Sequence, residues 1–361
     1  MNTLELFERY KITKPIRLIE LFAGYGSQAL ALENLGVKFE HHQVVEFDKY
    51  AIKSYNALHG TNYDTQDITK LKKLNITETD KYDYILTYSF PCTDLSLAGK
   101  GLGMKQGTRS GLLWEVERLL LNTKELPQVL VMENVTQVHG TKHKEDFDQW
   151  ITFLAKLGYS NQWKDLNAKH YGIPQSRDRT FMVSILGDYE YQFPNPIELK
   201  LRLKDMLEDN VSENYYLSEK AIQGMMNTTY ETSKMEYRVQ EQDGISATLC
   251  ARDYKDPKCI VVGSLNQYNK TFGQVDNVYD SKGLSPTLTT MQGGNRQPKI
   301  VMPKDTAIRK LTPFECLRIM GFNDNQIERI KKSGNSNSQL YKQAGNSIVV
   351  QVLQAIFKEL L

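Results

Sequence analysis

The feature that most constrains this chain is a rhythm in its first half, where short apolar runs of strand length alternate with amphipathic stretches of helix length. The runs are Ile16-Arg17-Leu18-Ile19-Glu20-Leu21-Phe22, Tyr82-Asp83-Tyr84-Ile85-Leu86, Val129-Leu130-Val131-Met132 and Thr180-Phe181-Met182-Val183. Between them lie segments such as Gln28-Ala29-Leu30-Ala31-Leu32-Glu33-Asn34-Leu35, followed by Gly36, a natural helix stop. The alternation predicts an α/β fold, a doubly wound and mostly parallel sheet over residues 16 to about 186. At 361 residues the chain exceeds one ordinary domain, and 40% hydrophobic against 24% charged residues describes a soluble globular protein with ample core. No stretch approaches the ~20 apolar residues of a membrane span. Met1-Asn2-Thr3-Leu4-Glu5 lacks a secretory pattern, so the expected location is cytoplasmic, without membrane association.

The texture changes at Phe193-Pro194-Asn195-Pro196, after which the chain is polar and loop-rich. Within that stretch Gly244-Ile245-Ser246-Ala247-Thr248-Leu249, ending in Pro257-Lys258-Cys259-Ile260-Val261, recurs as Gly283-Leu284-Ser285-Pro286-Thr287-Leu288, ending in Pro298-Lys299-Ile300-Val301. Two copies are too few for a solenoid and predict a pair of strand–loop–strand units in one small domain. Helical texture returns after Pro303: Thr312, Pro313 and Glu315 form a capping box, and Gly321 ends the helix. The segment from Ser347 to Leu361 is apolar enough to dock on a core. The expected organisation is a domain of residues 1–192 completed by 335–361, a small domain of 193–305, and a helical connection of 306–334.

Charge says little globally and more locally. Forty-five basic against 43 acidic residues leave a net +2, too balanced to announce nucleic-acid binding. From Arg252 to Lys310, however, ten Lys/Arg face five Asp/Glu among Asn, Gln, Gly, Thr and Tyr, a composition suited to phosphate contacts or to a solvated surface. Four cysteines, at positions 92, 250, 259 and 316, make neither a disulfide framework nor a zinc pattern.

Three groups of residues carry chemistry. Phe22-Ala23-Gly24-Tyr25-Gly26-Ser27 joins a strand to a helix, where glycines let a ligand approach the backbone; Ala29 stands where a pyrophosphate-binding turn needs its third glycine. Glu46 after Val44-Val45 and Asp67 after a further strand can accept ribose hydroxyls and an amino group, or can cap helices. Cys92 follows the strand-like Tyr84-Ile85-Leu86-Thr87 and leads into a glycine-rich loop, a setting for a nucleophile, although lone cysteines are commonly buried hydrophobes. Glu133 ends another apolar run and Arg177 and Arg179 begin one, so all can meet at one rim as acid and base anchors, or as an ion pair joining two loops.

In this order, Phe22-Ala23-Gly24-Tyr25-Gly26, Pro91-Cys92, Glu133-Asn134-Val135, Gln175-Ser176-Arg177-Asp178-Arg179, the block from Arg309 to Phe322 and Tyr341-Lys342-Gln343-Ala344-Gly345-Asn346-Ser347 resemble the successive blocks of the DNA cytosine-5 methyltransferase family of bacteria and phages. The resemblance covers nearly the whole chain; Ser27 and Ser89 stand where the family commonly has glycine. It implies a Rossmann-like S-adenosylmethionine-dependent domain with a smaller target-recognition domain. Phe22, Gly24, Tyr25, Gly26, Glu46, Phe47, Asp67, Ile68, Pro91, Leu112 and Asn346 would line the S-adenosylmethionine pocket, and Cys92, Glu133, Arg177 and Arg179 would form the catalytic set. Cys92 would attack carbon 6 of a flipped cytosine, with Glu133 at ring nitrogen 3, Arg179 at oxygen 2 and Arg177 orienting the glutamate, and no metal.

The resemblance further implies double-stranded DNA as partner, contacted by Ser96, Arg252, Asn295, Arg296 and Gln297, a monomeric enzyme, and a place in DNA methylation and restriction–modification. Thr248-Leu249 and Thr287-Leu288 both resemble the dipeptide that anchors the recognition domain. Two rival readings remain at this stage: the same chemistry on RNA, against which the long polar insert from Pro194 to Pro303 argues, and a binding-only relative, against which the intact Cys92, Glu133, Arg177 and Arg179 argue.

Overall fold

The structure is a computed structural model. It describes residues 8–92, 95, 104, 108, 110–215, 284–285, 287–288 and 311–361, and the backbone of 239–240, 259–260, 278–280, 299–301 and 308–310. Its centre is a six-stranded sheet of β1 (Ile16–Leu21), β2 (Phe39–Val45), β3 (Asp83–Tyr88), β4 (Val129–Asn134), β5 (Tyr159–Asn167) and β6 (Asp178–Leu186) in the order β2-β1-β3-β4-β6-β5. All neighbours are parallel except those involving β6, which runs antiparallel to both β4 and β5.

Side-chain alternation explains why the central strands read as continuous apolar runs. Leu18, Ile85, Val129, Val131 and Val183 face one core, while Ile19, Leu86, Leu130, Met132 and Met182 face the other, so both sheet faces are covered. On the first face lie α1 (Ser27–Asn34) and the C-terminal α8 (Val350–Lys358). Residues 27–32 of α1 are all buried, as a helix between sheet and second helix layer requires. On the second face, α3 (Leu113–Leu121) buries Leu113, Val116 and Leu120, and α4 (Lys144–Lys156) buries Phe147, Trp150 and Leu154, both at helical spacing. Each such side chain contributes roughly 1.5–3 kcal/mol by leaving water.

The expected helix caps of the C-terminal part are present. The Thr312 hydroxyl accepts from the Glu315 amide and the Glu315 carboxylate accepts from the Thr312 amide, capping α5 (Pro313–Ile319), and Gly321 follows at φ +97°. Then come α6 (Asp324–Lys331), α7 (Asn337–Asn346) and α8, whose Leu353, Ile356 and Phe357 share a core cluster with Leu30, Ile319 and Ile330. Both copies of the internal repeat end in a short strand paired in parallel with a strand about twenty residues upstream: β8 (Cys259–Ile260) with β7 (Val239–Gln240), and β10 (Lys299–Val301) with β9 (Val278–Asp280). Strand β11 (Ile308–Lys310) joins β10 antiparallel. Among the described residues no helix is long and apolar enough to cross a membrane.

Candidate active site

Parallel strands release their chain at one rim of the sheet, and in open α/β sheets ligands bind in the crevice outside those carboxyl ends. Phe22 leaves β1 at φ +59°, Glu46 leaves β2, Cys92 lies four residues past β3 and Glu133 is the penultimate residue of β4. Strand β6 enters antiparallel, with Glu133 opposite Phe181 and Asn134 opposite Thr180, so its first residues Asp178 and Arg179 reach the same rim.

The glycine turn is built by backbone and by α2 (Lys49–His59) behind it. Gly24, at φ +59°, would meet no atom within 4 Å if given a Cβ, so its backbone borders open space. Gly26 needs to be glycine for a different reason: at φ +83° its Cβ would sit 2.4 Å from His59 Nε2 and 2.6 Å from the Tyr55 ring. Glu46 Oε2 accepts from the Gly24 amide at 2.8 Å and Oε1 from the Asp48 amide at 2.7 Å. Burial pushes this carboxyl up, against those two bonds. Tyr25 points its ring into the core, edge-on to Phe322 and with its hydroxyl on Ser347, so toward the rim it offers backbone only. Phe47, in contrast, is 75% exposed.

One sequence expectation needs correction here. Asp67 does not end a strand: it caps the short 3-10 turn Ile68–Lys70, and its Oδ1 accepts from the Thr69 amide and hydroxyl at 3.0 and 2.8 Å. Those bonds lower its pKa and leave Oδ2 with Lys70 at 4.0 Å. The turn is polar and exposed on both sides of Ile68, which supplies the only buried residue.

At the cysteine end, Pro91 is held by Ser110, whose hydroxyl donates to its carbonyl at 2.7 Å, and Leu112 leads into α3. Asn134 Nδ2 donates to the Phe90 carbonyl at 3.0 Å, locking the turn that presents Cys92 to the strand that presents Glu133. Glu133 is 7% exposed, and its Oε1 lies 3.2 Å from Arg179 Nε. Burial raises the Glu133 carboxyl, and Arg179, then Arg177, pull it back. The Cys92 thiol is likewise raised, by burial and then by the Glu133 charge, with the two arginines opposing. The rim therefore holds one thiol, one carboxyl and two cations in mutual electrostatic range, in a low-dielectric setting where each charge matters.

Arg177 differs from the expectation of orienting the glutamate. Its side chain is buried, its pKa falls to about 9 chiefly through burial, and its fork donates to three carbonyls: Leu288 at 3.0 Å, Gly345 at 3.0 Å and Ser347 at 2.7 Å. Gln175, fully buried, accepts from the Leu288 amide at 3.2 Å and donates to the Ile319 carbonyl at 3.0 Å, while Thr287 donates to the Ser176 carbonyl at 2.5 Å. Thus Thr287-Leu288 docks on the arginine block; Thr248-Leu249 lies outside the described residues. Sequence reasoning quoted Gln175 and Asn134 only as parts of motifs and gave them no role; Gln175 bonds the Leu288 amide and Ile319 carbonyl far along the chain, and Asn134 the Phe90 carbonyl. Asn346 is exposed at the end of α7, flanked by the two residues that Arg177 holds. Ser96, Arg252, Asn295, Arg296 and Gln297 lie outside the described residues.

This arrangement matches the C-5 cytosine-specific DNA methylase family over residues 16–361. The chain belongs to that family. It is 31% identical to a type II methyltransferase of Lactococcus lactis subsp. cremoris, covering 96% of this chain and 99% of the relative. It is 30% identical to an orphan methyltransferase of Bacillus phage SPbeta, with 96% and 97% covered. A solved methyltransferase of Entamoeba histolytica shares the fold at a TM-score of 0.70 and 16% identity, over 96% of this chain and 98% of that one. The enzyme is thus a DNA cytosine-5 methyltransferase on an S-adenosylmethionine-dependent methyltransferase fold.

Proposed function

We propose that the enzyme methylates carbon 5 of a cytosine flipped out of a specific duplex DNA sequence, through a covalent adduct between Cys92 and carbon 6. The observation that carries this reading is the convergence of the Cys92 thiol, the buried Glu133 carboxyl and Arg179 at one rim beside the glycine turn. S-adenosylmethionine fits the neighbouring residues: open space borders the Gly24 backbone, Glu46 is anchored with lone pairs to spare for hydroxyls, and the exposed Phe47 ring is free to stack. Phe22, Gly24, Tyr25, Gly26, Glu46, Phe47, Asp67, Ile68, Pro91, Leu112 and Asn346 are the residues proposed to hold it. When bound, it supplies a sulfonium-activated methyl group for carbon 5.

The remaining chemistry belongs to the chain. Carbon 5 of cytosine is a weak nucleophile, and stacked in a duplex it is out of reach, so the base is flipped at a cost of a few kcal/mol. A bond forms between Cys92 Sγ and carbon 6 while Glu133 delivers a proton to ring nitrogen 3, which leaves carbon 5 electron-rich as an enamine. The raised pKa of Glu133 suits it to carry that proton, and the Cys92 thiol, also raised, gives its own proton to water as the adduct forms. Once the methyl group has passed to carbon 5, leaving S-adenosylhomocysteine, a water molecule takes the carbon-5 proton, the carbon 5–carbon 6 double bond reforms as the carbon 6–sulfur bond breaks, and the nitrogen-3 proton returns to Glu133. Arg179 holds oxygen 2 and keeps Glu133 in place.

Residues 193–305 are proposed as the recognition domain, anchored through Thr287-Leu288, with Arg252, Asn295, Arg296 and Gln297 as base readers, Ser96 as a DNA contact, and the protein acting as a cytoplasmic monomer. Incubation with duplex DNA and labelled S-adenosylmethionine, followed by nucleoside mass spectrometry and bisulfite sequencing, tests the reading. The expected product is 5-methylcytosine at one recurring sequence. Label on adenine or on the cytosine amino group, or acceptance by tRNA in preference to DNA, contradicts it.

A further inference from the structure

Behind the glycine turn, three side chains that the reaction does not use come together. Glu33 of α1, His41 of β2 and His59 of α2 each bring one ligating atom within 4.8 Å of the other two. Their hydrogen bonds decide which ring nitrogens carry protons. Tyr55 donates its hydroxyl hydrogen to Glu20 at 2.5 Å, so its oxygen accepts from His41 Nδ1 at 2.7 Å. That fixes the His41 proton on Nδ1 and leaves Nε2 as a lone pair.

His59 is arranged in the same sense. The Tyr25 carbonyl, 3.1 Å from His59 Nε2, can only accept, so Nε2 carries a proton. Nδ1 then faces Glu33 Oε1 at 2.5 Å. At that separation a proton bridges His59 and Glu33, and an ion with bonds of ~2.0 Å would replace that proton and part the two atoms to roughly 3.3 Å while also engaging His41. Arg329, 3.6 Å from Glu33 Oε2, pairs with the other oxygen and leaves Oε1 as the ligand. Metal-binding imidazoles characteristically donate their other N–H to a fixed acceptor, as both of these do.

We propose that Glu33, His41 and His59 form a binding site for a zinc-class divalent ion, with two imidazoles, one carboxylate and a further coordination position open. The site ties α1, β2 and α2 together beneath the cofactor turn, because His59 holds the Tyr25 carbonyl and packs against Gly26. Its role is structural, apart from methyl transfer. The spacing 33, 41 and 59 matches no linear metal motif, since each ligand comes from a separate element.

The test titrates chelator-treated full-length protein with Zn²⁺ and with Co²⁺. The expected result is one ion per chain at micromolar or tighter affinity, a raised thermal midpoint, and visible cobalt bands without the near-ultraviolet charge transfer of a thiolate. That last reading separates this site from Cys92 and the other cysteines. His41→Ala and Glu33→Gln should each weaken binding roughly tenfold or more, with circular dichroism of the unloaded variants unchanged; these two are chosen because the His59 side chain is fully buried. No stoichiometric ion, a thiolate band, or unchanged affinity in both folded variants overturns the proposal and leaves a proton as the bridge between His59 and Glu33.

Discussion

The two turns at the rim of the sheet, around Gly24 and around Cys92, are held by different forces. At the glycine turn, backbone amides hold the carboxylate: both Glu46 oxygens accept from main-chain N–H groups, and the turn is backed by ring packing from Tyr55 and His59. At the cysteine turn the groups are side chains with opposed charges, Glu133 against Arg179, in a buried setting that raises both carboxyl and thiol. A site held by backbone loses function in steps, because each amide–carboxylate bond is one of several. A site held by buried charges fails when one member changes, because the desolvated partner is left uncompensated.

The contrast can be broken or sharpened by substitution. Cys92→Ser should abolish methylation while leaving S-adenosylmethionine affinity near wild type, since a hydroxyl adds poorly to carbon 6 at neutral pH; a radiometric assay with calorimetry checks both halves. Glu133→Gln should lower the methylation rate by on the order of 10²–10⁴-fold. The same change removes a charge that raises the Cys92 thiol, so Cys92 should react faster with iodoacetamide near neutral pH; slower alkylation contradicts the proposed electrostatics. Arg177→Ala strands three carbonyls and should destabilise the fold by about 3 kcal/mol or more, measured as a lowered denaturant midpoint. Smallest should be Asp67→Ala, which weakens S-adenosylmethionine by about 1–3 kcal/mol without altering the rate at saturation.

Which elements were legible in the sequence follows from where they sit. The central strands β1, β3, β4 and β6 are buried on both faces and announce themselves as apolar runs, and the caps at Gly36, Thr312 and Gly321 act through local geometry. The two edge strands were harder to see. Only Val44 and Val45 of β2 are buried, and β5, Tyr-Ser-Asn-Gln-Trp-Lys-Asp-Leu-Asn, is buried only at its ends. The rim residues were readable because each ends or begins an apolar run. The work of Arg177 was not, because its partners lie 111, 168 and 170 residues away. The same long range hid which Thr-Leu pair docks; Glu33, His41 and His59 are near in sequence but come from three separate elements and match no linear motif, so they did not appear as a group.

The central claim is that Cys92 becomes covalently bonded to the target base. Duplex DNA carrying 5-fluorocytosine at the methylated position tests it directly, because fluorine cannot leave carbon 5 as a cation and the adduct cannot resolve. Wild-type enzyme with S-adenosylmethionine should give a denaturation-resistant protein–DNA species, with peptide mapping placing the bond at Cys92, and Cys92→Ser should give none. An active wild-type enzyme that forms no such species, or an adduct that survives in Cys92→Ser, would contradict the account.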